Sequence, residues 1–146
     1  MKYLLDTNII SEFISKIPNE KVIDYILSLD EYDLYLSVIT IGEIKTGIEK
    51  LDDGSKKNKL LYWLENDLLN RFQNRIVDID TEVMLQWGTI NQRLKQLGKP
   101  LPIMDSLIGA TSEVKGFILI TRNEKDFQNL NIKIVNPFTQ GLGLRS

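Results

Sequence analysis

The run Lys2-Tyr3-Leu4-Leu5 has no polar alternation and stops at a carboxylate, Asp6. An apolar run without alternation marks a strand buried on both faces, as in a parallel sheet. Residues 34–38, 75–79, 117–120 and 131–135 read as further strands. Between them lie stretches with apolar residues at three- and four-residue steps, which predict helices over 8–17, 20–29, from 40 onward, 57–70, 80–97 and from 105 to Gly116. Strands alternating with helices force a parallel sheet with both faces covered. The predicted fold is therefore α/β, three layers (α/β/α) around a central, mostly parallel five-stranded sheet. At 146 residues and 42% hydrophobic, the chain suits one domain over 1–138, followed by a loose tail at 139–146.

That topology gathers acids. Asp6, Glu43 and the pair Asn123 and Asp126 all follow strands, so they share the carboxyl edge of the sheet, where open α/β sheets bind ligands. Asp105 begins a helix that leads into the fourth strand, so it starts from the same edge. Three carboxylates within ~5 Å repel by roughly 3 kcal/mol per pair at an effective dielectric near 20. Helix N-termini offset only ~0.3–1 kcal/mol each. A cation removes the repulsion, and oxygen donors without imidazole or thiolate select Mg²⁺ or Mn²⁺. On this reading, removing the charge of Asp6 or Asp105 raises metal-free stability.

The absent residues narrow the chemistry further. With no histidine and no cysteine, the chain has no serine–histidine or cysteine–histidine nucleophile and no usual zinc site. A net charge of −2 gives no global pull on nucleic acid, so a polyanion must be held locally or through a metal. The absence of a secretory leader or membrane-length apolar run gives a cytoplasmic expectation with no membrane partner.

Each acid also has a local reading. Asp6 is placed to cap the helix after it. Thr40-x-x-Glu43 matches a capping box, in which the glutamate reaches back to the threonine amide. Asp105 is a second candidate N-cap, Asp126 a solvated loop charge and Asn123 a turn residue. Leu60, Leu61, Trp63 and Leu64 suit either the core or an apolar groove.

Four stretches carry a family resemblance: Leu5-Asp6-Thr7-Asn8-Ile9, Ser37-Val38-Ile39-Thr40-Ile41-Gly42-Glu43, the run from Pro102 through Asp105 to Ala110, and Thr121-Arg122-Asn123-Glu124-Lys125-Asp126-Phe127. In order and spacing they resemble the PIN-domain ribonucleases, above all the VapC-type toxins of toxin–antitoxin pairs. Ile134-Val135-Asn136-Pro137-Phe138 also fits. The resemblance implies Mg²⁺- or Mn²⁺-dependent hydrolysis of single-stranded RNA, of transfer or ribosomal type. Asp6, Glu43 and Asp105 match the core catalytic and metal-binding acids, and Asn123 or Asp126 completes the metal site. Thr7, Asn8 and Thr121 are candidates to fix those carboxylates, and Lys45 and Arg122 to touch phosphates. An antitoxin partner and a homodimer are implied as well. A receiver-like, non-catalytic metal switch is the alternative from another class. Such modules use an adjacent acidic pair near the start and a lysine after the last strand, whereas Asp6 stands alone and no lysine follows Val135.

Overall fold

The computed structural model describes residues 1–139, so the expected tail lies, beyond Thr139, outside the described residues. Five parallel strands form one sheet in the order β3-β2-β1-β4-β5: β1 (Tyr3–Leu5), β2 (Leu34–Ser37), β3 (Ile76–Val77), β4 (Ile118–Ile120) and β5 (Ile134–Val135). The order reverses at β1, which pairs with β2 on one side and β4 on the other. Asp6 leaves the sheet at this switch point, where strand ends diverge and open a crevice.

Successive strand residues face opposite layers. Leu5 and Ile120 point into one cluster with Ile9, Ile44, Leu64 and Phe72. Leu4 and Leu119 point into the other with Val83, Ile90, Ile108 and Phe127. Both faces are dry, which is why the strand sequences do not alternate. Among the described residues no helix is long and apolar enough to cross a membrane.

The helices follow the sequence with three corrections. The first is shorter than expected: α1 (Thr7–Ile10) passes into a 3₁₀ turn, Ser11–Ile14, and the chain is extended at Ser15. Pro18 disfavours helical backbone just before it, and Ile17 is exposed. Asn19 then caps α2 (Glu20–Leu27) through the amides of Lys21 and Val22. The second correction concerns α3 (Val38–Glu49), which begins straight from β2, with Ser37 as its cap accepting from the Ile39 amide. Thr40 is thus inside the helix and Glu43 closes no capping box. The third is α7 (Ile103–Lys115), which begins after Pro102, so Asp105 lies in its first turn and is not the cap.

The stretch from Ser55 to Arg71 is helical throughout, as α4 (Ser55–Tyr62), a π turn (Trp63–Leu68) and α5 (Leu69–Arg71). Its Leu64 and Leu68 are buried, with Leu60, Leu61 and Trp63 packed against the same cluster, so the core reading of this leucine stripe holds. Asp80 caps α6 (Thr81–Gln96) through the Val83 amide, as its position suggested. Gly116, at φ 72°, ends α7 in the left-handed region and turns the chain into β4. The short α8 (Glu124–Phe127) completes the set.

Gly109, inside α7, is where that helix meets Phe127 and Leu130. A Cβ there would stand 2.3 Å from Leu130 Cδ1. Gly109→Ala is expected to cost about 1–3 kcal/mol of overpacking, offset by the ~0.8–1 kcal/mol that alanine gains in helix propensity. The measurement is a urea midpoint, and a midpoint at or above the parent's would show that Leu130 rotates away freely.

Candidate active site

The acids named from the sequence converge on the rim at the end of β1. Asp6 is 4% exposed. Its Oδ1 accepts from the Thr7 amide at 2.8 Å. Its Oδ2 accepts from the Thr121 hydroxyl at 2.7 Å and from Asn8 Nδ2 at 3.3 Å. Asp6 is therefore the helix cap, and capping leaves it at the rim where the other acids lie, so the two readings do not compete. Burial pushes its carboxyl above the usual carboxylate range and the Glu43 charge adds to this, while the three donors pull the other way. Its carboxylate has an unused lone pair.

Glu43 reaches the site from the second turn of α3. The Thr7 hydroxyl lies 2.5 Å from Glu43 Oε1 and 3.2 Å from Thr40 Oγ1. Its single proton serves the shorter contact, so Thr7 aims one carboxylate oxygen of Glu43, and the second has no hydrogen-bond donor among the described residues.

Asp105 differs from Asp6 in that no donor among the described residues stabilises it. It is half-buried, and its pKa is raised from 3.8 to about 6, first by desolvation and then by the charges of Asp6, Glu43 and Asp126. The Trp87 indole donates to Ser106 Oγ at 2.8 Å, and that hydroxyl donates to the Ile103 carbonyl at 2.8 Å. This pins the first turn of α7, and with it Asp105, against α6. The hydroxyl beside the acid was the only signal of that support in the sequence.

Asp126 joins the group through its charge on Asp105. Asn123 contributes its backbone amide, which donates to Thr121 Oγ1 at 3.0 Å; its side chain is exposed and caps nothing. Thr7, Asn8 and Thr121 all hold carboxylates or the loop beside them, since Asn8 Oδ1 also accepts from the Arg122 amide at 3.1 Å. Lys45 and Arg122 are already engaged. Lys45 Nζ is 2.8 Å from Glu49, and the Arg122 guanidinium lies 4.8 Å from the Phe138 ring centroid. Asn136 was missed as a contributor. It is buried, and its amide donates to the Arg122 carbonyl at 3.1 Å and to Glu124 Oε1 at 3.2 Å, fixing the loop that carries Thr121.

Among the described residues no three acids already form a group able to hold an ion. The donor set nonetheless fits a hard cation that binds through one or two carboxylates and keeps its waters, as Mg²⁺ does. Asp6 and Asp105 are the two acids of the rim whose carboxyls burial pushes above the usual range.

Known proteins resemble this chain in sequence and fold. A family model described as PIN domain matches residues 3–133. Toxin FitB of Neisseria gonorrhoeae is 36% identical over 135 residues, 92% of this chain and 97% of that one. A VapC ribonuclease of Sinorhizobium fredii is 29% identical over 135 residues, 92% of this chain and 96% of its own. The crystal structure of FitAcB from N. gonorrhoeae matches with a TM-score of 0.90 at 36% identity, covering 94% of this chain and 99% of that one.

Proposed function

The chain belongs to the PIN-domain family, and on that footing we propose that it is a metal-dependent endoribonuclease acting on single-stranded RNA, the toxin of a toxin–antitoxin pair. The observation that carries this reading is that acids from remote stretches lie at one rim, where Thr7 donates its amide to Asp6 and its hydroxyl to Glu43, and where the charges of Asp6, Glu43 and Asp126 act on Asp105. A relative named a ribonuclease and another named a toxin support the activity and its setting. The partner that such a toxin needs is a protein able to cover the acid rim.

Asp6 and Asp105 would hold the cation, Mg²⁺ or Mn²⁺, which supplies neutralisation of phosphate charge and acidification of water. Glu43, aimed by Thr7, orients the attacking water through its other oxygen and takes up its proton. Thr121 and Asn8 keep Asp6 in one rotamer. The loop from Thr121 to Asn123, held by Asn8 and Asn136, closes the rim beside it.

The test is cleavage of total RNA by the purified protein with Mg²⁺ or Mn²⁺, with EDTA and Asp6→Ala as controls. Cut ends that need the metal and vanish with Asp6→Ala are expected. Metal-independent cleavage, or cleavage that survives the substitution, would remove this reading.

A further inference from the structure

The lysines around α3 and α4 differ in their partners. Lys45 is paired with Glu49 at 2.8 Å and Lys57 with Glu49 and Asp53, each at 3.3 Å. Lys16, Lys56 and Lys59 are exposed, and among the described residues none has an acidic partner. All three line one hollow of about 700 Å³. A second hollow of about 340 Å³ begins at Thr7 and Glu43 and shares Ile14, Lys56 and Leu60 with the first. The two make one trough, open to solvent, with Glu43 at one end and, at the other, cations that have no acidic partner among the described residues.

We propose that this trough is the track for the RNA strand, with the scissile phosphate at the Glu43 end and neighbouring phosphates on Lys16, Lys56 and Lys59. The inference rests on the nuclease reading for the placement of the cut. A polyanion held by one phosphate at the rim has its other phosphates repelled by the acids there, and the trough leads from that rim toward uncompensated positive charge. The floor between, formed by Ile14, Ile48 and Leu60, is apolar and offers no hydrogen-bonding code. It suits unstacked bases, which a duplex does not present, so it favours single strands and little sequence preference.

The probe is a labelled single-stranded RNA oligonucleotide of mixed sequence, bound by Asp6→Asn protein and followed by anisotropy across a salt series. Adding Lys16→Ala, Lys56→Ala and Lys59→Ala together is expected to weaken binding about ten-fold or more at low salt and make the salt slope shallower by about 2, at ~0.7 per phosphate contact on a single strand. Removing Lys95, Lys99 and Lys133 instead makes the same charge change elsewhere and is expected to leave the slope as it was. A trough variant that binds RNA with the parent's affinity and slope overturns the proposal and leaves the trough to a protein segment. Lysine-dependent binding in a chain whose parent cuts no RNA would keep the track and remove the nuclease, so the two failures are distinct.

Discussion

Replacing Asp105 with asparagine is expected to lower RNA cleavage on the order of a thousandfold and yet to raise the melting point of the EDTA-treated protein. The carboxyl sits where burial and three like charges oppose ionisation, so its folded pKa of about 6 stands above the ordinary 3.8. A shift of that size corresponds to about 3 kcal/mol in a fully buried site; with half the group in solvent, roughly 1 kcal/mol is the fair expectation. That is ~2–4 °C for a domain of this size. The sign gives a second readout. The folded state holds the proton more tightly than the unfolded chain, so the destabilisation is present above pH 6 and is relieved as pH falls toward 3.8. The metal-free parent should therefore gain stability between pH 7 and 5 relative to Asp105→Asn. A variant that melts below the parent, or a parent that shows no such gain, would mean the four acids do not share one space. The same gain is not expected at Asp6, although sequence alone suggests it. Three donors converge on that carboxylate, and an amide can accept at only one atom, so Asp6→Asn should melt at or below the parent.

The largest loss of stability is expected at Arg75, far from the acids. It is 8% exposed, and its guanidinium donates to the carbonyls of Glu31, Leu34 and Arg71 and to the Glu31 carboxylate. It also lies 5.0 Å from the Phe72 ring centroid and 5.6 Å from that of Tyr32. These bonds tie the chain entering β2 to the chain entering the edge strand β3, at the amino ends of both. Arg75→Met takes a donor from three backbone carbonyls, of which that of Glu31 keeps the Leu34 amide, and should cost about 3–5 kcal/mol, a fall in melting temperature on the order of 10 °C. Arg71→Met is the comparison. It removes a bidentate pair to Glu31 at 2.8 and 2.9 Å, but both side chains are partly exposed, so about 1 kcal/mol or less is expected. Below its melting point, Arg75→Met should cut RNA at the parent's rate, because the acid rim is at the opposite ends of the strands. Equal, small losses from the two substitutions would show that burial of Arg75 adds nothing.

What the sequence made legible was what depends on chain direction. Strand-then-helix alternation puts Asp6, Glu43 and Asp126 on one edge whatever the side-chain detail, and α7 running back into β4 adds Asp105. Local start signals were less dependable. Thr40 and Glu43 imitate a helix start, but β2 runs into α3 without a loop, so the cap is Ser37, hidden within a strand-like run. Asp105 looks like a cap because Pro100 and Pro102 precede it, yet proline tolerates the helix edge and the first turn begins sooner. The partners of charged side chains were not legible. Lys45 and Lys57 differ from Lys56 and Lys59 only in which acids packing brings near them. Lys16 belongs with the latter pair although forty residues separate it from Lys56 in the chain.

The hydroxyl that clamps Asp6 comes from Thr121, 115 residues further along, just past β4, the strand that must lie beside β1 before the rim exists. A ribosome has made most of the chain before this hydroxyl is available, and Asp105 and Asp126 are also late. Until then Asp6 and Glu43 emerge without the late neighbours, so the acid rim is assembled last, when β4 pairs with β1.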